Sequence, residues 1–170
     1  SVSRYLGKNS IMVLDILATN KWERPVYFAV TVPSDNYINL SNYFQVEGLA
    51  YRIVPVEDEA SNGQGRVATD IMYDNMMNKF RWGGVENPGI WMDQTILRMC
   101  YNYRNNFTRL AMELLRVGDK EKAKNVLLKA KEVLPEENVP FNMYSIQYAE
   151  AMMKVGLDED ADYIMSAVRS

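Results

Sequence analysis

The sequence predicts an α+β fold, in which a small α/β part with a short β-sheet is followed by an array of helical hairpins. The composition changes near residue 90, where runs of β-branched and aromatic residues give way to apolar residues at helical spacing. Small and apolar residues of the second part also recur at a fixed interval. We therefore predict a mixed α/β subdomain over residues 1–90 and a helical subdomain over residues 91–170 of this 170-residue chain.

Three short strands are predicted in the first part. The run 26–32 lies between two prolines, is rich in β-branched and aromatic residues, and is apolar at successive positions, which indicates a buried strand. A second strand is predicted at 50–56, where Pro55 indicates an end or a sheet edge. A third is predicted at 66–69, after an acidic, glycine-rich loop at 57–65.

The helices of the first part are predicted from their caps and breakers. They cover residues 10–20 with Ser10 as the cap, residues 40–46 ended by Gly48, and residues 71–81 with Asp70 as the cap.

The second part is predicted to be helical to its end, with helices at 93–117, 120–134, 142–155 and 158–169. Asp93 and Asp158 are the predicted N-caps. Cys100 and Phe107 are separated by two helical turns on the first of these helices. They therefore share a face, and we expect that face to be buried.

A repeat is visible in this second part. Gly118 and Gly156 are 38 residues apart (156 minus 118). The same interval joins four further pairs, Ala111 with Ala149, Leu114 with Met152, Ala123 with Ala161, and Leu127 with Met165. Small residues let two antiparallel helices approach closely, and a glycine with positive φ permits the tight turn between them. We therefore predict two helical hairpins, with Gly118 at positive φ.

The first hairpin resembles the tetratricopeptide consensus at Phe107, Leu110, Ala111, Leu114, Gly118, Ala123, Leu127 and Ala130, with Pro135 as the terminator. The second hairpin is a weaker match, and a generic bundle of helical hairpins is the alternative that the residues leave open. Two units are fewer than the roughly three that an independent solenoid needs. We therefore expect the α/β part and the long helix at 93–117 to cover one end of the stack.

Composition excludes several classes of function. The formal net charge of −3 provides no basic surface for nucleic acid, and the chain has no histidine to act as a general base or metal ligand. The acidic run 57–59 lacks the spacing of a calcium loop. We therefore predict no catalytic residue, no metal site and no cofactor. An acid/base group of Asp70, Asp74 and Glu47 is the one alternative, and it requires that the fold join them.

The chain contains no apolar run of the roughly 20 residues that a membrane-spanning helix needs. Because it begins with Ser1 rather than Met, we expect it to be a piece of a longer protein.

Three stretches, at residues 22–30, 47–55 and 73–83, carry a family resemblance. They read WERPVYFAV, EGLAYRIVP and YDNMMNKFRWG, and they resemble, in order, strings of a family of bacterial multi-pass membrane proteins that are similar to protein O-mannosyltransferases. Asp93 with Arg98, and Arg104 with Phe107, fit further motifs of that family. The resemblance implies the C-terminal portion of such a protein, on the periplasmic side of the inner membrane. No residue here matches the family's membrane-embedded catalytic motif.

These observations favour a non-catalytic accessory domain that binds a protein partner or acceptor near a membrane-bound glycosyltransferase. Stacked repeats present their first helices on a concave face. The candidate partner-binding residues on that face are Arg109, Glu113, Asn142, Gln147 and Glu150. The alternative is a glycan-binding or catalytic domain that acts through the aromatic-rich α/β part, because aromatic faces stack on sugar rings. Its candidate sugar-binding residues are Tyr43, Tyr73 and Trp82.

Overall fold

The computed structural model describes residues 7–58 and 63–169, and it confirms the α+β fold. Four short strands lie in the N-terminal part: β1 (Tyr27–Ala29), β2 (Phe44–Val46), β3 (Ala50–Ile53) and β4 (Arg66–Val67). Helix α1 (Lys8–Asn20) precedes them and α2 (Thr69–Asp74) follows them. The remaining helices are α3 (Gln94–Arg116), α4 (Lys120–Val133), α5 (Ile146–Val155) and α6 (Asp158–Arg169). No helix among the described residues combines the length and the apolarity that crossing a bilayer requires.

Internal contacts divide the chain into two compact units. The first comprises Ser1–Val46 and Ala50–Arg66, and the second comprises Glu47–Leu49 and Val67–Ser170. The subdomain boundary between residues 90 and 91, which was predicted from composition, stays a prediction.

The sheet has the strand order β1-β3-β2-β4, and β3 pairs antiparallel with both β1 and β2. An aromatic cluster packs within the first unit, where Phe44 stacks on Tyr51 with 5.1 Å between ring centroids. Phe28 and Tyr37 contact Phe44 at 5.3 and 4.9 Å. These rings supply a large share of the apolar area that this small unit buries.

The prediction of a helix at 40–46 is wrong. A short 3₁₀ turn, Ser41–Tyr43, leads directly into β2, which pairs with β3. Phe44 and Val46 are 1% and 0% exposed, whereas Gln45 between them is less buried. This alternation has the period of a strand, and pairing with a distant segment overrides the local helical signal.

The other predicted strands are shorter than expected. β1 covers only Tyr27–Ala29, and Tyr27 is 47% exposed, so the prediction of a buried strand is wrong. β1 lies at the edge of the sheet, which leaves one side of its backbone without a neighbouring strand. β3 ends at Ile53, two residues before Pro55, which has no N–H for the ladder.

Three predicted N-caps are also corrected. α1 begins at Lys8 after Gly7, not at Ser10, and Ala68 rather than Asp70 precedes α2. Asp70 and Asp158 instead lie in the first turns of their helices, where a carboxylate interacts favourably with the helix dipole.

The predicted helix at 71–81 begins earlier and changes type. α2 continues as a π-helical turn, Asn75–Lys79, in which the N–H of Phe80 donates to the carbonyl of Asn75. The side-chain amide of Asn75 donates to the carbonyl of Glu47, and this tertiary bond coincides with the start of the wider turn.

Helix α3 begins and buries its residues as predicted. The Asp93 carboxylate accepts a hydrogen bond from the Ile96 N–H at 2.8 Å, which confirms it as the N-cap. Cys100 and Phe107 are 1% and 0% exposed, so both lie on the buried face. Desolvation raises the pKa of the Cys100 thiol.

Both hairpin turns have the same hydrogen-bond pattern. Gly118 and Gly156 have φ of 87° and 84°, which confirms the expected conformation. The Gly118 N–H donates to the Leu115 carbonyl and the next N–H, of Asp119, donates to the Leu114 carbonyl. The second turn repeats both bonds 38 positions later, with Met153 and Met152 as acceptors. This pair of bonds satisfies carbonyls at each helix end, and the two turns are therefore structurally equivalent.

Candidate functional site

Two adjoining depressions follow the faces of α3 and α5. One has a volume of about 780 Å³ and the other about 540 Å³. Gln147 lines both of them, so they form one continuous surface, which we call the α3/α5 groove. All five predicted partner-binding residues line it. Asn142 belongs to the larger depression, whereas Arg109, Glu113 and Glu150 belong to the smaller. That they bind a partner stays a prediction.

The larger depression is rich in carboxamides. Five amide side chains line it, from Gln94, Asn102, Asn105, Asn142 and Gln147. The Asn142 side chain caps the turn at 143–145, where it accepts a hydrogen bond from the Tyr144 N–H at 3.0 Å. Within the described part of the chain, the other four amide side chains make no hydrogen bond. Their donors and acceptors are therefore available to a ligand.

These amides belong to a longer polar stripe on α3. Gln94, Arg98, Asn102, Asn105 and Arg109 follow one another at intervals of three or four residues, and all line the groove. That interval places them on one side of a helix. At 1.5 Å per residue, the 23 residues of α3 extend for about 35 Å. The stripe therefore runs along most of that length.

The charged side chains that line the smaller depression already have partners. Arg116 forms hydrogen bonds of 2.6 to 3.0 Å with both carboxylate oxygens of Glu113. These bonds raise the pKa of Arg116. Glu150 pairs with Lys154 at 2.7 Å, and the Lys154 ammonium also approaches the sulfur of Met112. The depression is thus close to neutral, and Met112 and Val67 add apolar surface to it.

The predicted sugar-binding residues are distributed over both compact units. Tyr43 belongs to the first unit, and Tyr73 and Trp82 belong to the second. Trp82 packs on the buried Phe107 with 5.1 Å between ring centroids and meets Phe80 and Tyr103 edge to face. Much of its ring surface therefore serves packing. The Tyr73 ring lies 5.7 Å from the Lys122 ammonium. A role for the three in binding sugar stays a prediction.

Among the alternative acid/base residues, Asp74 has structural partners. Asp74 pairs with Lys79 at 2.6 Å and accepts a hydrogen bond from Asn78. Both bonds lower the pKa of Asp74, which favours its charged form. Glu59 lies outside the described residues. Among residues 7–58 and 63–169, no group of three or more Cys, Asp or Glu side chains is placed to hold a metal ion.

Arg104 is a buried arginine whose role the sequence did not reveal. It is 3% exposed and donates hydrogen bonds to the carbonyls of Leu134, Val139 and Pro140. Its guanidinium also lies 4.7 Å from the Phe141 ring centroid. Burial lowers the pKa of Arg104. This side chain thereby fixes the loop at 134–141, which leads directly to Asn142 in the groove. Only the family string around Arg104 and Phe107 marked the position.

Asn138 performs a similar task from within that loop. It is 7% exposed, and its amide donates to the carbonyls of Val85 and Asn87. Its side-chain oxygen accepts a hydrogen bond from the Gly89 N–H at 3.2 Å. The loops at 85–89 and 134–141 are thus held together by one side chain.

Comparison with known proteins bears on the N-terminal part of the chain. Residues 2–71 match the family described as TMEM260-associated domain 2. This match covers less than half of the chain. No curated protein and no solved structure matches it. The N-terminal part is therefore similar to a domain that accompanies TMEM260, and the hairpins lie outside the matched span.

Proposed function

We propose that this chain is a non-catalytic interaction domain that holds an extended polypeptide in the α3/α5 groove. The observation that carries the proposal is a row of carboxamides along α3 and α5 that have no hydrogen-bond partner among the described residues. It includes Asn102, Asn105 and Gln147. A carboxamide offers both a donor and an acceptor, as the peptide backbone does. Such a groove recognises the backbone of a polypeptide more than its sequence.

The dimensions of the groove suit this ligand. An extended strand rises about 3.3 Å per residue, so a segment of about ten residues spans the length of α3. Each hydrogen bond to the backbone contributes about 1 kcal/mol net. Met143 and Tyr144, at the edge of the larger depression, are 68% and 81% exposed and provide apolar contact for peptide side chains. A row of such modest contacts favours weak, sequence-tolerant binding.

The hairpin arrangement supports an assignment as tetratricopeptide-like units. Helices α3 and α5 open the two hairpins and line the same groove, which is the surface that such stacked units present to ligands. The paired small residues Ala111 and Ala123, and their counterparts Ala149 and Ala161, are all 0% exposed. Close approach of the helices at these positions is what the tetratricopeptide pattern requires.

The family resemblance motivates a proposal about the cellular context, and the match to a TMEM260-associated domain is compatible with it. We propose that the chain forms the periplasmic part of a multi-pass, glycosyltransferase-like membrane protein. In that setting, an extended segment in the groove is the acceptor polypeptide or a partner subunit. The groove would keep it near a transferase site carried by another part of the protein.

The groove is tested by amide substitutions with a matched control. Asn102→Ala with Asn105→Ala removes two groove carboxamides, whereas Asn125→Ala removes an exposed one from α4, outside both depressions. An unfolded, fluorophore-labelled polypeptide serves as the probe in an anisotropy titration. We expect the double variant, which loses at least two hydrogen bonds of about 1 kcal/mol each, to bind about thirtyfold more weakly and the control to bind normally. Arg109→Ala with Gln147→Ala tests the residues predicted from the repeat in the same way. Unchanged affinity in both groove variants would refute the proposal.

The glycan alternative has its own discriminating result. If Trp82→Ala or Tyr43→Ala reduces binding of an oligosaccharide while the groove variants do not, the α/β part is the functional surface. Trp82 packs against Phe107, so a thermal melt must accompany its variant to separate lost binding from lost stability. Tyr43→Phe keeps the ring and removes only the hydroxyl, so it separates stacking by the ring from hydrogen bonding by the hydroxyl.

A further inference from the structure

A third cavity lies on the other side of α5 from the groove. It has a volume of about 560 Å³ and is enclosed by α4, α5, α6 and the loops at 85–89 and 134–141. We call it the rear pocket. Tyr148 and Met152 line it, whereas Gln147 and Glu150 line the groove. Successive residues of a helix are about 100° apart, which turns these two pairs to opposite sides of α5.

The floor of the rear pocket is apolar and its walls are aromatic. Leu134, Met152 and Ile164 reach the pocket but are at most 2% exposed, so they form a closed base. Phe141 and Tyr163 meet edge to face at 6.5 Å between ring centroids. The floor and walls thus suit the aliphatic part of a ligand.

The rim is strongly acidic. Four carboxylates surround the opening, from Glu86, Glu136, Glu137 and Asp160, against the single ammonium of Lys131. Lys131 already pairs with Asp160 at 2.5 Å, and Glu136 accepts a hydrogen bond from the Tyr163 hydroxyl at 2.8 Å. Glu86 and Glu137 are exposed and have no side-chain partner among the described residues. An excess negative charge therefore faces the opening of an apolar cavity.

We propose that the rear pocket binds the side chain of a lysine or arginine residue that a polypeptide presents to it. Such a side chain places its methylene stem on apolar surface and keeps its charged head in a polar rim. Glu86 and Glu137 supply the charge complement, and the Tyr163 ring, 60% exposed, offers a face for a cation–π contact. An acidic side chain would be repelled, and an uncharged aliphatic one would leave both carboxylates unpaired. The assignment does not depend on the α3/α5 groove.

The first test compares two small probes that differ in charge. N-acetyl-lysine methylamide and N-acetyl-norleucine methylamide are titrated into the protein, and NMR follows the methyl resonances of Met152 and Ile164. We expect saturable shifts with the lysine probe at about millimolar concentration, and binding of the norleucine probe that is about fivefold weaker or more. Equal affinity for both probes, or no shift with lysine, would overturn the proposal.

The second test changes the rim. Glu86→Gln with Glu137→Gln should weaken lysine-probe binding about three- to tenfold. Glu121→Gln with Glu159→Gln removes the same net charge outside the pocket and should leave binding unchanged. Lys131→Met frees Asp160 and should strengthen binding about two- to fivefold, a gain that a damaged fold would not produce. Equal affinity in the two double variants, or weaker binding in Lys131→Met, would contradict the assignment. Thermal midpoints verify that each variant is folded.

Discussion

The groove and the rear pocket differ in chemistry, although α5 lines both of them. The groove side presents neutral carboxamides, paired charges such as Glu113 with Arg116, and the exposed Arg98. The other side presents a closed apolar base beneath carboxylates that remain open. Neutral hydrogen-bonding groups suit the repeating backbone of a polypeptide, whereas an apolar cavity with an acidic rim suits one particular kind of side chain.

The largest expected effect concerns the orientation of α3, on which the groove depends. Cys100 and Asn102 are two residues apart, yet Cys100 is 1% exposed and Asn102 lines the groove. A thiol reagent should therefore label Cys100 only when the helix opens, and a cysteine at position 102 directly. We expect the native protein to react about a thousandfold or more slowly than Asn102→Cys in a Cys100→Ala background.

The measurement is the second-order rate of reaction with a chromogenic disulfide reagent under native conditions. Urea, which populates the open state, should raise the rate at Cys100 and leave the rate at position 102 nearly unchanged. Similar rates at the two positions would mean that α3 is rotated and that the groove face is misassigned.

A second prediction concerns Arg104, because it holds the loop at 134–141. This loop lines the rear pocket and leads to Asn142 in the groove. Arg104→Ala leaves the carbonyls of Leu134, Val139 and Pro140 without their donor in a buried site. Losing hydrogen bonds to a charged donor in such a place should lower the free energy of unfolding by about 3 kcal/mol or more. Arg98→Ala is the matched control on the same helix, because Arg98 is exposed. It should change the free energy of unfolding by less than about 0.5 kcal/mol. Equilibrium urea denaturation measures both.

Arg104 also illustrates which features of the fold local sequence patterns do not predict. Helix periodicity, the Asp93 cap and the two turn glycines are local signals, and they predicted the bounds of α3, α4 and α6 closely. The helix predicted at 142–155 begins only at Ile146, after a 3₁₀ turn at Met143–Ser145. Phe44–Val46 was misassigned because its strand exists only through pairing with its neighbours in the sheet, β3 and β4. Arg104 and Asn138 act on carbonyls 30 or more residues away, a relation that no local pattern contains.

The candidate sites, too, were predicted only where a local sequence pattern marks them. Arg109, Glu113, Asn142, Gln147 and Glu150 were predicted from their places in the repeat, and all of them line the groove. Gln94 and Asn102 were missed because they precede the first repeat unit on α3. The rear pocket was missed because its floor comes from α5 and α6 and its rim from two loops that meet only in the fold.

A third prediction tests whether the turns of the two hairpins are equivalent. Gly118 and Gly156 both have positive φ, and a Cβ added to either would meet nothing within 4 Å. Substitution should therefore cost only backbone strain, about 1 kcal/mol for Gly118→Ala and more for the β-branched Gly118→Val. Gly156→Ala should cost the same as Gly118→Ala within about 0.5 kcal/mol. An unchanged thermal midpoint in Gly118→Val, or a large difference between the two alanine variants, would show that the turns are not equivalent.

The smallest expected effect concerns salt, and it separates the two sides without any substitution. Raising the ionic strength from about 0.05 to about 0.5 M shortens the Debye length from roughly 14 Å to roughly 4 Å. The open carboxylates Glu86 and Glu137 then attract a lysine probe less strongly, and its affinity for the rear pocket should fall about threefold. Binding of an uncharged, extended peptide in the groove depends on neutral amides such as Asn102 and Asn105, so its affinity should change by less than about 1.5-fold. Both titrations use the same protein sample, which removes differences in folding from the comparison. The methyl resonances of Met152 and Ile164 report on the rear pocket, and those of Met112 and Met143 report on the groove. If the two ligands respond to salt to the same degree, the contrast in charge between the two sides of α5 does not govern what each of them binds.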